Sequence, residues 1–194
     1  NGQAVARGTS FLKDAMGTAV FAPGIRIVDD PLLRRGHASH PFDGEGIGAQ
    51  ALELVVDGVL NNWLLDCATA RQLGLETNGR ARRGTSSPPA PGTSNLHMAA
   101  GDVSPGALMA DIKRGLYVTE LIGMGVNPVT GDYSKGAAGF WIEDGEIAYP
   151  VSELTIAGNL KDMFRALVPA NDLEFRYATN APTIRIDGLT LAGS

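Results

Sequence analysis

Three Asp-Gly pairs, each set between strand-like runs, constrain this chain more than any other feature. Leu52-Glu-Leu-Val-Val56 leads into Asp57-Gly58 and on to Val59-Leu60, and Phe140-Trp-Ile-Glu143 leads into Asp144-Gly145 and on to Glu146-Ile-Ala-Tyr149. Thr183-Ile-Arg-Ile186 leads into Asp187-Gly188, with a short return arm at Leu189-Thr-Leu191. A type I′ turn needs positive φ at both central residues. Asp and Gly tolerate it, and that turn matches the twist of paired strands. The spacing therefore predicts three two-residue β-hairpins.

Further strands are expected at Ile25–Val28, Asn95–Met98, Tyr117–Ile122, Leu154–Ile156 and Leu173–Tyr177. Helical signals are fewer. Leu65–Leu73 has helical spacing and is stopped by Gly74. Ser104-Pro105 sets a cap and then a first-turn proline, opening a helix to about Lys113. Asn159–Val168 repeats apolar residues at Leu160, Met163, Phe164 and Leu167 before Pro169. The 25 glycines and 11 prolines among 194 residues favour many turns over a helical bundle. The fold class that results is α+β, mostly antiparallel β with several hairpins and about three short helices.

Two stretches break the pattern. Residues Asn78–Ser94 are rich in Arg, Ser and Pro, and Gly123–Gly139 is rich in Gly. Irregular stretches of this length inside a compact domain usually carry function or are disordered.

Bulk properties exclude several classes. A net charge of −5 argues against a nucleic-acid face, because phosphate binding needs clustered Lys and Arg. No run of about 18 apolar residues is present to cross a membrane as a helix. The single cysteine rules out an intrachain disulfide and gives no sign of secretion. The opening Asn-Gly-Gln-Ala-Val-Ala-Arg is neither a signal peptide nor an ordinary start, so a cytoplasmic fragment with its native beginning upstream is expected.

Isolated candidates for chemistry are weak. His37 and His40 lie three apart in a Gly/Pro loop with acids nearby in sequence, but no helix face aligns their rings for a metal. His97 falls in a strand pattern that suits a core or rim position. Cys67 has no local base to activate it and reads as a small residue at a helix start. Gly123-Met-Gly125 lacks the Gly-Lys-Ser/Thr ending of a phosphate loop. Arg80, Arg82 and Arg83 could hold an acidic group or form a solvated basic loop.

Longer motifs carry a family resemblance. The stretch Gly115–Val151, containing Leu-Ile-Gly-Met-Gly-Val-Asn-Pro-Val-Thr-Gly-Asp-Tyr-Ser-Lys-Gly and Gly-Phe-Trp-Ile-Glu-Asp-Gly, resembles the TldD/PmbA family of bacterial metalloproteases, and its PmbA (TldE) branch in particular. Thr155–Phe164, Asn171-Asp172, Ile27–Pro31, Asp43–Gly46 and Ala70–Leu75 follow in the family's order. The resemblance implies a carboxyl-terminal domain over residues 1–194, with the amino-terminal half absent.

It further implies one subunit of a cytoplasmic protease assembled from TldD-like and PmbA-like chains, with peptide substrates in a cleft between them. The family is associated with maturing microcin precursors, degrading an antitoxin and, by an older name, modulating DNA gyrase. In TldD-like chains zinc is held by a His-Glu-x-x-x-His helix and a late Cys. The helix would fall upstream of Asn1, but the late-Cys segment, Tyr177–Thr183, contains no Cys. The expectation is thus a non-metal subunit: no metal, no cofactor and no complete active site in this chain, with zinc in a TldD-like partner. Partnering would be with that chain or with a second copy. By the same resemblance the two irregular stretches line the peptide cleft, nominating Arg82, Arg83, Thr130, Asp132, Tyr133, Ser134 and Gly136. A non-enzymatic regulator of gyrase or of a toxin–antitoxin pair, and an independently active hydrolase, are the other readings that remain open.

Overall fold

The first two Asp-Gly turns form as their chemistry dictates. Asp57 and Gly58 have φ of 49° and 76°, and Asp144 and Gly145 have φ of 47° and 85°. At Gly58 a Cβ would sit 2.6 Å from the carbonyl oxygens of Phe21 and Ala22, so glycine is required for packing as well as for φ.

The computed structural model describes residues 1–193. The chain begins with α1 (Gly2–Ala6), β1 (Ile27–Asp29), β2 (Leu52–Val56), β3 (Val59–Leu60) and α2 (Cys67–Leu73). It continues through β4 (Ala81–Arg82), β5 (Ala90–Pro91), β6 (Leu96–Met98) and α3 (Pro105–Met109). Two long strands follow β7 (Arg114–Ile122), namely β8 (Asp132–Glu143) and β9 (Glu146–Asn159), and then α4 (Leu160–Ala166). The last elements are β10 (Leu167–Pro169), β11 (Thr179–Asn180), β12 (Ile184–Ile186) and β13 (Thr190–Ala192). Strand predominates and the paired strands are antiparallel except for β11 on β6, which makes the fold α+β. Among the described residues no helix is long and apolar enough to cross a membrane.

Two compact units divide these elements. The first comprises Asn1–Ala99 with Leu173–Pro182, and the second Ala100–Asp172 with the stretch from Thr183 onward. The first holds a five-stranded sheet in the order β11-β6-β1-β2-β3 and the small β4-β5 ribbon. Its core includes Ile25, Val55, Leu60, Leu65 and Ala70. In the second, a four-stranded sheet runs β13-β9-β8-β7 beside the β10-β12 pair, over buried Ala137, Ile142, Ile156, Met163 and Leu167.

Several expected elements are corrected. The third Asp-Gly pair makes no hairpin: β12 pairs with β10, whereas β13 pairs with β9. Asp187 turns its carboxylate back to Arg185 Nε at 2.9 Å, so the turn hands the chain from one sheet to another. Leu173–Tyr177 is not a strand, because Asn180 Oδ1 accepts the backbone N–H groups of Arg176 and Tyr177, both at 2.9 Å, and curls the segment. The latter part of Gly123–Gly139 is not irregular either, since β8 starts at Asp132.

Helix ends shift for local reasons. Asp66 caps α2 through Thr69 N–H, with the Thr69 hydroxyl returning a capping box, so the helix starts at Cys67 and ends on left-handed Gly74. Helix α3 starts after the Ser104 cap as expected but stops at Met109. The carbonyls of Ile112 and Lys113 instead accept from Gly145 and Asp144 of the hairpin. Helix α1 was not foreseen; Asn1 Oδ1 caps it by accepting from Ala4 N–H at 3.0 Å.

Of the three register shifts in the long hairpin, two fall at one level, the third lying opposite Phe140–Ile142. On one side of β8 the register slips between Val118 and Glu120 of β7, and on the other it slips opposite Ala137–Gly139. Glu153 sits there with φ of 59°, a left-handed value uncommon for a side chain of that kind. Gly139 is required between the bulges, because a Cβ would lie 2.0 Å from Tyr117 O.

The first unit is organised around a buried ion pair. Asp29 and Arg80 have side chains 0% and 1% exposed, with Arg80 Nε 2.6 Å from Asp29 Oδ2. Arg80 Nη2 donates to the carbonyls of Gln50 at 2.6 Å and Asp29 at 3.1 Å, and Nη1 to those of Asn78 at 2.9 Å and Gly79 at 3.2 Å. Asp29 in turn accepts from Ser94 N–H at 2.6 Å and the Ser94 hydroxyl at 2.9 Å. Burial pulls the Arg80 guanidinium below its ordinary value, opposed by the Asp29 carboxylate. Arg80 therefore leaves the basic-loop group to which its neighbours in sequence assigned it.

Removing one partner of such a pair strands the other in the core. Arg80→Met is expected to cost about 3–5 kcal/mol in urea unfolding. Arg82→Met, on the exposed ribbon two residues on, should stay within about 0.5 kcal/mol.

Candidate functional site

The nominated residues fall into two groups, one in each unit. Arg82 and Arg83 lie on the ribbon formed by β4 and β5, where Ala81 pairs with Pro91 and Arg82 with Ala90. Asp43 steadies the ribbon from beneath, with Oδ2 accepting from Ala81 N–H at 3.0 Å and Oδ1 from Glu45 and Ile47 N–H, each at 2.9 Å. Both arginines are exposed, but they differ in freedom. Arg82 Nη1 donates to Thr93 O at 2.8 Å, while no hydrogen bond holds the Arg83 side chain among the described residues. Arg83 is the cation available to an incoming acidic group.

The second group lies where the loop after β7 enters β8. Asn127 Oδ1 accepts from Val129 N–H at 3.0 Å and Thr130 N–H at 3.3 Å, an Asx turn that wraps the loop. Gly131, at φ of 87°, reverses the chain and donates to Asn127 O at 2.9 Å. Asp132 is then clasped from two sides: the Thr130 hydroxyl donates to Oδ2 at 2.6 Å, and Asn159 Nδ2 to Oδ1 at 3.1 Å. Asn159 also caps α4 through Lys161 N–H at 3.0 Å, and Leu160 N–H donates to Gly131 O at 2.7 Å. The loop and the helix start are thereby one hydrogen-bonded unit.

This clasp defines what Asp132 can do. The Thr130 hydroxyl first, then Asn159 and the charge of Lys161, hold its carboxyl below the usual carboxylate range. It is an ionised acceptor, not a proton donor near neutral pH. Tyr133 is half-buried, and burial pushes its phenol up. Ser134 N–H donates to Gly125 O at 2.7 Å, and Gly136 pairs with Thr155 on one side and Ile122 on the other. The structure thus brings Thr130 and Asp132 into direct contact and sets Tyr133, Ser134 and Gly136 into the ladder beside them. Asn127, Asn159 and Gly125 complete the arrangement and are not among the cleft residues that the resemblance nominates; Asn before Pro in a Gly-rich stretch is the available sequence signal for the first.

The remaining candidates are placed plainly. Cys67 begins α2 half-buried, with its N–H on Glu45 Oε2 at 2.8 Å, and a hydrogen bond to Glu45 pushes its thiol up. That opposes thiolate formation. His37 is exposed, and His40 Nδ1 lies 2.8 Å from Ala38 O. His97 is half-buried in β6 with its ring edge-on to Phe175, centroids 5.0 Å apart. Among the described residues no three His, Cys, Asp or Glu side chains converge to hold a metal ion.

The Thr130–Asp132 turn thus sets one hydrogen-bonded carboxylate at the end of a bulged antiparallel hairpin. The chain belongs to the PmbA/TldA metallopeptidase C-terminal domain family, whose sequence model spans residues 1–193. It is 42% identical to the metalloprotease PmbA of Escherichia coli O157:H7 over 193 residues, covering 99% of this chain and 41% of that protein. The crystal structure of a proposed DNA gyrase modulator from Thermotoga maritima matches with a TM-score of 0.86 and 34% identity, over 98% of this chain and 44% of that one. TldE from Thermococcus kodakarensis shares the fold at a TM-score of 0.88 and 24% identity, over 100% of this chain and 45% of that one. The chain thus spans about two-fifths of the length of the curated relative it matches.

Because Thr130 holds Asp132 ionised, the stability this clasp contributes is present above the ordinary carboxylate range. It is lost as pH falls through the depressed titration. Thr130→Val should therefore move the Asp132 titration upward in a carboxyl-detected NMR pH series. An unmoved titration would mean that Asn159 and Lys161 alone set it. Gly125→Ala should unzip the Val126–Tyr133 bridge, since its Cβ would fall 1.3 Å from Ser134 O. Amide exchange at Ser134 reports that directly.

Proposed function

We propose that this chain is the carboxyl-terminal domain of a PmbA-like subunit in a cytoplasmic TldD/PmbA-type metalloprotease that cleaves or matures peptides. The subunit contributes cleft wall and interface, and the zinc resides in a TldD-like partner chain. The observation that carries this reading is the likeness to PmbA across 99% of the chain. The late-Cys segment adds to it. Between Tyr177 and Thr183 there is no thiol, and buried Asn180 spends its amide on the local turn, donating to Tyr177 O at 2.7 Å.

In a zinc peptidase the metal polarises the scissile carbonyl and activates water. Among the described residues no three His, Cys, Asp or Glu side chains come together as such a centre needs. The part of this chain's residues is to bind and orient. Arg83 offers a free cation to an acidic side chain or terminus of a peptide, and the Thr130–Asp132 turn offers an ionised acceptor to its amide or basic groups. Tyr133, Ser134 and Gly136 supply the backbone and small side chains past which an extended chain can run.

The test is to mix the full-length protein with the TldD-like counterpart of the same source and to follow peptide cleavage with and without a chelator. Complex formation by size exclusion and a rate at least tenfold above either chain alone, abolished by chelator, are expected. Arg83→Glu should raise KM severalfold with little change in kcat. If the two chains neither associate nor alter cleavage, the protease-subunit reading fails, and the non-enzymatic regulator of gyrase or of a toxin–antitoxin pair replaces it.

A further inference from the structure

Beyond Val118 the end of β7 stands clear of the second unit's core. Successive side chains of a strand point to opposite faces, yet every residue from Val118 to Met124 is exposed, so both faces meet solvent there. Leu121, Ile122, Met124, Val126 and Val129 make this stretch an apolar prong. Met124 is its most exposed member, with the whole side chain in solvent between Gly123, at φ of 90°, and Gly125. The prong is not slack. Gly125 O accepts from Ser134 N–H at 2.7 Å, Asn127 N–H donates to Asp132 O at 2.8 Å, and Val126 bridges Tyr133. A hydrogen-bonded turn therefore holds the thioether out in water, on the same loop as Thr130.

Burial sorts the sulfur atoms of this chain. Met98 and Met163 lie in the cores at 9% and 7% exposed, Met109 is half-buried and Met16 is 39% exposed. Cys67 is half-buried, and the hydrogen bond to Glu45 that pushes its thiol up opposes the thiolate that reacts with peroxide. Oxidation follows access to sulfur, so Met124 is the first to react.

We propose that Met124 is a reversible oxidation site through which a hydroperoxide weakens peptide binding at the adjoining Thr130–Asp132 turn. The Sδ lone pair takes the terminal oxygen of the hydroperoxide. The S–O bond forms as the O–O bond breaks, and the proton of the transferred oxygen passes to the leaving one, which departs as water or an alcohol. Sulfur is oxidised by two electrons and the peroxide is reduced. A dithiol reductant reverses the step, removing the oxygen as water and becoming a disulfide. The product is polar where the thioether was apolar. An apolar side chain of a bound peptide set against it then meets a hydrated sulfoxide, and stripping that water weakens binding. The effect on binding rests on the peptide-processing reading above; the oxidation itself does not.

The test starts from the full-length protein, treated with hydrogen peroxide, freed of it and mapped over time by peptide mass spectrometry. Met124 is expected to gain one oxygen about tenfold or more faster than Met98 and Met163, and ahead of Met16. The oxidised protein is then mixed with its untreated TldD-like counterpart. Peptide cleavage should show KM raised about threefold or more with kcat little changed, and methionine sulfoxide reductase with dithiothreitol should restore it. Met124→Gln, polar at the same place, should raise KM before any peroxide, whereas peroxide should no longer shift the KM of Met124→Leu. A Met124 that oxidises no faster than Met16 overturns the proposal. So does an unchanged KM once Met124 is oxidised, or an equal peroxide effect in Met124→Leu. If the untreated pair neither associates nor cleaves, the subunit reading fails and the KM claim with it, while the mass spectra still decide the oxidation. If the untreated and oxidised pairs cleave equally well, only this switch is lost and the subunit reading stands.

Discussion

The buried pair of Asp29 and Arg80 holds the first unit together in a way no apolar contact could. One guanidinium reaches the last residue of β1, the carbonyl before β2 at Gln50 and the turn at Asn78–Gly79, while Asp29 draws in Ser94 ahead of β6. Four stretches distant in sequence are thereby fixed at one point. An ion pair placed in a low-dielectric interior is tolerated only when nearly every donor and acceptor is satisfied, and here they are shared among backbone groups that would otherwise lack partners. The β4 strand of the ribbon starts one residue after Arg80, and Arg82 and Arg83 are exposed while Arg80 is buried.

In the second unit the corresponding constraint is geometric. Bulges on both neighbours of β8 meet at Ala138–Gly139 and bend the hairpin there. Beyond the bend the strands lead to the Asn127–Asp132 turn and its clasp to the start of α4. Before it, β7 forms the outer strand of the sheet. A straight ladder would not give the closed turn. The strained backbone at Glu153 is the local cost of this arrangement.

Membership in the metallopeptidase C-terminal domain family fits a chain whose acids and bases are mostly engaged in structure. Asp43 and Asp66 cap turns or helices, Asp29 is paired in the core, and Asp132 is held by hydroxyl and amide donors.

How much could be read in advance follows from range. The sequence by itself determined what is local: the two I′ hairpins at Asp57-Gly58 and Asp144-Gly145, the caps at Ser104 and Gly74, and the α+β class, because turn and cap chemistry acts within about four residues. Family resemblance was equally legible, being written in long contiguous motifs. Tertiary structure alone decided which sheet each strand joined. Asp187-Gly188 satisfies the same turn rule as the other two pairs, yet Arg185 captures Asp187 and the flanking strands find partners more than ten residues away. It also decided that Arg80 is buried while Arg82 and Arg83 are not, and that Asp132 is clasped rather than free. For Arg80 the deciding partner, Asp29, lies 51 residues away along the chain; for Asp132 the neighbouring Thr130 supplies one arm of the clasp, but the other, Asn159, lies 27 residues away, beyond the reach of any local rule.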